Sequence, residues 1–464
     1  MLNNNLILSL GGVFLIAVTV SAQSSTDFSF PADSDIRQII LDRIESRKQS
    51  MGIVVGLVKA GERRIVANGH LGSDDLRHVN VDTVFEIGSI TKVFTGFLLA
   101  DMMQRSEVKL DDPIAKYLPE EVVVPKRNGK EITLVELATH TSGLPRMPDN
   151  FLPADPANPY PDYSVKQLYQ FLSNYQLSRD IGTEWEYSNL GYGLLGHGLE
   201  RRNGTDYETL IQDRILEPLG MRNTAIILSP KMKARLAIGH NLALEAVTDR
   251  DSKALAGAGA LRSTASDLLT FLEMSLGIKE SPLASVFAAT LEVRRPIGGN
   301  NEMGLGWLVM KDGEDEIIWH TGLTAGYSSF IGFLMKKKVG VVVLSNTSAS
   351  VEDIGKHLLN PKIPLSPPPK LNIAVTIDTN LYDAYVGRYR YKPNYILSVT
   401  REGDRLFVQA NAYEKVEIFP KGEREFFSKA VDTQIIFNLN DKGRAVSFTH
   451  YQNGGGAELH RIGE

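Results

Sequence analysis

Three consecutive prolines, Pro367-Pro368-Pro369, inside Lys362-Ile-Pro-Leu-Ser-Pro-Pro-Pro-Lys370, divide this chain into two stretches of different texture. Proline locks its own φ and has no N–H, so neither a helix nor a central strand can run through the triplet. The run favours a stiff, extended connection. Upstream, strand-like segments enclose a helix-patterned middle. Residues 52–58 and 64–67 flank Ala60-Gly61-Glu62 as a hairpin, and 329–335 and 340–344 flank Lys336-Lys337-Lys338 as another. Between them, 165–172, 207–216 and 266–276 carry helical patterning, the last behind a Thr264-Ala-Ser-Asp267 capping box. This order predicts an α+β fold: an antiparallel sheet flanked by helices, with an inserted helical subdomain. A site would lie in the cleft between the two. Downstream, short strands at 395–400, 406–410, 415–419, 435–439 and 445–449 alternate with turn-rich segments and predict a small all-β barrel or sandwich. The expected organisation is therefore a first domain over 23–360, a linker over 361–370 and a β domain over 371–464.

Residues 6–20 form an apolar run shorter than a membrane span, and Val20-Ser21-Ala22 offers a small-residue cleavage site. Residues 1–22 read as an export signal, although Met1-Leu-Asn-Asn-Asn5 lacks the usual basic residue. The expected location is periplasmic or secreted, with no membrane span left after signal removal. The formal net charge of −5 and the absence of a Lys/Arg block argue against a nucleic-acid partner. With no cysteine and nine scattered histidines, neither disulfides nor a metal site are expected, nor any cofactor.

The chemistry-bearing segment is Phe85-Glu-Ile-Gly-Ser89-Ile-Thr-Lys92-Val-Phe-Thr-Gly-Phe. Phe94, Phe97, Leu98 and Met102 recur at helical spacing and predict an amphipathic helix beginning near Ser89. Residues i and i+3 share a helix face, so the Lys92 ammonium falls beside the Ser89 hydroxyl. The helix N-terminus favours a developing anion. A second match, Ser106-Glu-Val-Lys109, lies in a charged run closed by Pro113 and reads as a solvated helix end. Further along come Tyr187-Ser188-Asn189 and His320-Thr321-Gly322. Each triplet alone is common; Tyr451-Gln-Asn453 is a chance copy of the first. Taken singly, Tyr187 reads as a core anchor, Asn189 as a turn former and His320 as filler at a strand end.

The ordered set Ser-x-x-Lys, Tyr-x-Asn and x-Thr-Gly resembles the penicillin-recognising serine hydrolases related to class C β-lactamases. That group also holds D-alanyl-D-alanine carboxypeptidases and endopeptidases, D-aminopeptidases and esterases. The resemblance runs from about residue 36 to 346. It takes in Leu137-Ala-Thr-His-Thr-Ser-Gly-Leu-Pro145, Leu216-Glu-Pro-Leu-Gly-Met221, the run from Gly257 to Leu268 and Gly304-Leu-Gly-Trp307. The stretch from Val124 to Ala138 looks most like the carboxypeptidase/endopeptidase branch. Tyr385-Val-Gly-Arg-Tyr389 resembles the opening of a lipocalin-like module that follows such hydrolases.

The resemblance implies Ser89 as nucleophile, with Lys92 and Tyr187 jointly as base. Either can take the proton: burial lowers a lysine pKa, and a neighbouring cation lowers that of tyrosine. It implies that Asn189 orients the substrate amide and bonds Lys92. The peptide N–H groups of Ser89 and Leu323 would form the oxyanion hole, while Thr321 and Gly322 line the strand edge. His320 stands where penicilloyl-forming relatives usually carry lysine, so a permanent cation for a substrate carboxylate is missing. His140 reads as scaffold and stays outside the site. The implied activity is a serine peptidase on D-amino-acid peptides of cell-wall type. A class C-like β-lactamase, an esterase on small acyl esters and a catalytically silent penicillin-binding protein remain as alternatives. The implied partners are small molecules or peptides.

Overall fold

The computed structural model describes residues 28–151, 162–248, 254–313, 315–368, 372–392, 395–411, 415–452 and 455–463. The export signal expected over 1–22 lies outside them. Strands β1 (Gly52–Lys59) and β2 (Glu62–Gly69) form the expected hairpin. A two-residue pair, β3 (Phe85–Glu86) with β4 (Arg262–Ser263), sits apart from the main sheet. Then come β5 (Arg295–Gly298), β6 (Asn301–Met303), β7 (Leu308–Asp312), β8 (Asp315–Leu323), β9 (Ser328–Leu334) and β10 (Val339–Ser345). The main sheet is antiparallel, in the order β2-β1-β10-β9-β8-β7-β6-β5.

Strand periodicity explains how both faces of that sheet are covered. Val54, Val342 and Leu344 point to one face, where Leu268, Leu269 and Leu272 of the helix Ala265–Ser275 meet them. Ile53, Val55, Leu57, Val341 and Val343 point to the other, against Ile36 and Ile40 of Asp33–Leu41 and Ile354 and Leu358 of Glu352–Leu359. Hence β9 and β10 are buried along their whole length, and apart from Ser328, Ser329 and Ser345 they read as near-continuous apolar runs. Each such Val, Leu or Ile contributes about 1.5–3 kcal/mol of burial.

Two helical features depart from expectation. The helix Thr91–Gln104 is buried on every side from Thr91 to Met102, so it has no solvated face. It threads the middle of the helical part rather than lying on its surface. The longest helix described, Asn189–Asn203, has no periodic apolar stripe, and its Gly191, Gly193, Gly196 and Gly198 argue against a helix. Tertiary packing overrides that propensity. A Cβ on Gly193 would lie 2.4 Å from Leu255 Cδ2, and one on Gly198 2.4 Å from Ile114 Cδ1.

The C-terminal part is a closed eight-stranded antiparallel barrel. Its strands are β11 (Gly387–Lys392), β12 (Tyr395–Glu402), β13 (Arg405–Ala410), β14 (Val416–Pro420), β15 (Glu425–Phe427), β16 (Gln434–Leu439), β17 (Ala445–Gln452) and β18 (Gly455–Ile462). Three of these, β11, β15 and β18, are additional to the strands read from the sequence. Tyr385, Tyr389, Phe426, Phe437 and Phe448 fill the interior, each almost wholly excluded from solvent. The barrel therefore has a packed aromatic core.

The proline-rich connection is fastened along the sheet part. Arg47 Nη1 donates to the Ser366 carbonyl at 2.7 Å, and Ser366 N donates to Asp353 Oδ2 at 2.6 Å. Ile363 and Leu365 pack on the cluster around Ile354. The barrel also reaches back to the sheet part, where Leu242 N donates to the Ala430 carbonyl at 3.2 Å.

Candidate active site

Ser89 stands where β3 gives way, through a 3-10 turn Gly88–Ile90, to the helix Thr91–Gln104. Two glycines let the backbone crowd there. Gly88 has φ +49, and a Cβ on it would lie 2.9 Å from Leu323 N. A Cβ on Gly322 would overlap the Ile87 carbonyl oxygen at 1.9 Å. Only glycine at both positions lets the end of β8 close on the Ser89 turn. The Leu323 N–H is thereby brought beside that turn, while the Leu323 side chain is exposed. Ser329 Oγ donates to the Ile87 carbonyl at 2.9 Å and ties β9 to the same turn.

Lys92 lies one helical turn after Ser89 and is fully buried. Its Nζ is within hydrogen-bond distance of three oxygens: Ser89 Oγ at 3.0 Å, Asn189 Oδ1 at 2.8 Å and the Ala258 carbonyl at 2.6 Å. The last two can only accept, so they fix two N–H groups. The remaining tetrahedral position of Nζ faces Ser89 and holds either a third proton or a lone pair. Burial, and secondarily the Arg146 guanidinium, hold the Lys92 pKa well below the ordinary lysine value. The lone pair is thereby favoured, aimed at the Ser89 hydroxyl.

Tyr187 completes the group. Lys92 Nζ lies 4.8 Å from its ring centroid, and its hydroxyl is near enough to that of Ser89 to feel it electrostatically. The sequence suggested a tyrosine pKa lowered by the neighbouring cation, and here the direction is reversed. Burial pushes the phenol up to about 12, outweighing the Ser89 hydroxyl and the charge of Arg146. Tyr187 therefore stays protonated. Ser188 caps the helix Asn189–Asn203 through Gly191 N at 2.8 Å, which aims Asn189 at Lys92.

His140, set aside as scaffold, supports this arrangement from beneath. It is fully buried with φ +59, and its ring centroid lies 4.4 Å from that of Tyr187. Nδ1 accepts from Ser188 N at 3.0 Å. Burial depresses its pKa far below the usual histidine value, so the ring is neutral.

His320 is 2 % exposed, which decides its role. Burial, then the charge of Lys92, lowers its pKa to about 3, and the bond to the Thr321 carbonyl recovers only part. Nδ1 lies 2.6 Å from that carbonyl and must donate to it, so Nε2 carries a lone pair. Nε2 has no hydrogen-bond partner among the described residues. A neutral ring presenting a lone pair offers nothing to a carboxylate.

All eight expected residues thus gather on Ser89 and the end of β8. The chance copies do not: Ser106 is exposed in the turn after the helix, and Asn453 lies outside the described residues. Two further participants went unread in the sequence. The Ala258 carbonyl is main chain and leaves no side-chain signature. Arg146 directly follows the Thr-Ser-Gly-Leu-Pro segment, and its guanidinium carbon lies 5.2 Å from the Tyr187 ring centroid.

The sequence profile of the family described as Beta-lactamase matches residues 37–360. The chain belongs to the beta-lactamase family. It is accordingly a serine hydrolase of the class C β-lactamase and carboxypeptidase type. A profile described as a domain of unknown function matches residues 371–460, which contain the barrel. The D-alanyl-D-alanine-carboxypeptidase/endopeptidase AmpH of Escherichia coli strain K12 is 29 % identical over 342 residues, covering 71 % of this chain and 87 % of the relative. Penicillin-binding protein 4* of Bacillus subtilis strain 168 is 27 % identical over 423 residues, covering 85 % and 91 %. Among solved structures, the β-lactamase/D-alanine carboxypeptidase of Yersinia pestis complexed with citrate is similar with a TM-score of 0.61 and 25 % identity, over 71 % of this chain and 96 % of that one.

Proposed function

We propose that this beta-lactamase family member is a periplasmic or secreted serine peptidase that cleaves D-amino-acid peptides of cell-wall type through an acyl-Ser89 intermediate. The observation that carries the reading is the three-acceptor seat of Lys92, whose free position faces Ser89. Similarity to AmpH and to penicillin-binding protein 4* supports the substrate class. No described helix is long and apolar enough to cross a membrane, which agrees with an exported enzyme.

In the proposed reaction Ser89 Oγ attacks the scissile carbonyl carbon and its proton passes to Lys92 Nζ. The carbonyl oxygen becomes an oxyanion held by the N–H groups of Ser89 and Leu323. As the tetrahedral intermediate collapses, the C–N bond breaks and the leaving amine takes a proton from the Tyr187 hydroxyl. Tyr187 recovers it from Lys92, which returns to its neutral form. A phenol with a pKa near 12 is a poor base in the free enzyme, so Lys92 is assigned the first proton. Water then attacks the ester carbonyl, giving up a proton to the same pair, and Ser89 leaves with its proton restored. Asn189 holds the substrate amide and keeps Lys92 in register.

The test is release of D-alanine from a short peptide ending in D-alanyl-D-alanine, run beside hydrolysis of a chromogenic cephalosporin. Peptide turnover with a long-lived penicilloyl adduct supports the peptidase. Rapid cephalosporin turnover without peptide cleavage would make it a β-lactamase.

A further inference from the structure

We propose that Arg146 binds a carboxylate of the substrate, taking the part that a lysine at the His320 position plays in penicilloyl-forming relatives. The inference rests on the peptidase reading for its substrate class. Four observations converge on it. His320 is buried, and its one N–H is committed to the Thr321 carbonyl, so the end of β8 presents no cation. Arg146, by contrast, is exposed, with its guanidinium carbon 5.2 Å from the centroid of the Tyr187 ring. Its backbone is built into the site: the Arg146 carbonyl accepts from Asn189 N at 3.0 Å and from Leu190 N at 3.2 Å. Side chain and main chain of one residue thus touch the proposed acid and the residue that orients the substrate amide. Finally, its guanidinium forms no ion pair with any of the described carboxylates, although many of the chain's arginines do, as in Arg127–Asp180 and Arg214–Glu107. An arginine fork is shaped for a planar carboxylate.

Electrostatic reach agrees with this placement. The charge of Arg146 helps depress Lys92 and His140 on one side. On the other it acts on the half-buried phenol of Tyr395 in β12, whose pKa is raised by burial and lowered by Arg146. Arg146 therefore stands between the reacting group and the rim of the barrel. The acceptor carboxylate belongs either to the C-terminus of the peptide or to an acidic side chain in the acyl half, and the chemistry of recognition is the same.

The experiment compares kcat/KM across matched substrate pairs in wild type, Arg146→Gln and Arg146→Lys. One pair is a D-alanyl-D-alanine peptide acid and its C-terminal carboxamide. A second pair differs only in carrying glutamate or glutamine upstream of the scissile bond. A third is an aryl ester with or without a carboxylate on its acyl chain. We expect Arg146→Gln to lower the charged-to-neutral ratio by about tenfold in at least one pair, a loss of roughly 1.4 kcal/mol of selectivity, and Arg146→Lys to restore part of it. The pair that responds identifies which carboxylate is read. The acid limb of the pH profile should also move to higher pH in Arg146→Gln, because Lys92 loses a neighbouring cation. Ratios unchanged in every pair, or charged and neutral rates falling together, would overturn the proposal and leave Arg146 as a prop for Tyr187. A wild type that cleaves esters but no peptide refutes the peptidase reading alone, and the ester pair still decides Arg146.

Discussion

In the barrel, the guanidinium of Arg461 is engaged at all three of its nitrogens. It donates to the carbonyls of Val386 at 2.7 Å, Ala384 at 2.9 Å and Ala445, and to the Tyr389 hydroxyl at 2.8 Å. Tyr389 donates in turn to the Tyr385 carbonyl at 2.7 Å, and Tyr385 to that of Glu423. The cleft of the sheet part treats its polar groups differently. Lys92 is buried among acceptors with no carboxylate of the described residues paired to it, and His140 and His320 each hold a buried Nε2 without a partner among those residues. A satisfied network rigidifies even where burial displaces a pKa, as for Tyr389, pushed up to about 12, whereas incompletely satisfied titratable groups gathered in one cleft are candidates for chemistry. The contrast separates two uses of buried polar groups: the Arg461 network fixes the barrel, and the cleft gathers a lysine and two histidines whose proton equilibria are displaced.

The comparison breaks if the cleft groups prove dispensable. Lys92→Ala removes the proposed base and should lower turnover on the order of 10²–10⁴-fold, measured on any acyl substrate. Near-wild-type turnover would return the role of base to Tyr187. Tyr187→Phe should cost on the order of 10²-fold on peptides and less on activated esters, whose leaving groups need no proton. An equal loss on both would mean that the tyrosine does more than protonate the leaving amine.

The pH profile sharpens the same point. Because the Lys92 pKa is lowered, kcat/KM should rise through a value well below 10.5 as the reactive free base forms. No fall from Tyr187 is expected before about pH 12, and His320, at about 3, should add no inflection near 6.5. An acid-side optimum for carboxylate-bearing substrates, as a protonating His320 would give, should therefore be absent. The smallest effect belongs to the barrel. Arg461→Met strips donors from several carbonyls and should destabilise the barrel by roughly 1–3 kcal/mol in thermal unfolding. Its kcat/KM on a short ester should match wild type, and a change would mean that the barrel holds the cleft in shape.

How much of this could be read beforehand follows from the physics of each signal. The two hairpins of the sheet part, β1–β2 and β9–β10, were legible because alternation and turns are local. The helix Asn189–Asn203 was not, because its glycines only make sense beside Leu255 and Ile114. The three-residue strand β15 is too short for any pattern, and β18 opens on glycines. Of the candidate site, the motif side chains that the structure gathers around Ser89 were named by their spacing and order. The direction of the Tyr187 shift was not, since it turns on how far burial outweighs charge. Arg146 went unread because an exposed arginine in a loop looks like solvated surface until its ring contact is seen.

The most direct test of the central claim, that a lone pair on Lys92 arms Ser89, is acylation by a fluorescent penicillin followed by intact mass across pH. Wild type should gain one adduct, mapped by peptide digestion to Ser89, at a rate that climbs with pH to a plateau reached well below pH 10.5. Ser89→Ala should gain none, and Ser106→Ala should label as wild type does. An adduct on Ser89→Ala, or a wild-type rate still rising towards pH 11 as an unperturbed lysine or the phenol of Tyr187 titrates, would contradict the account.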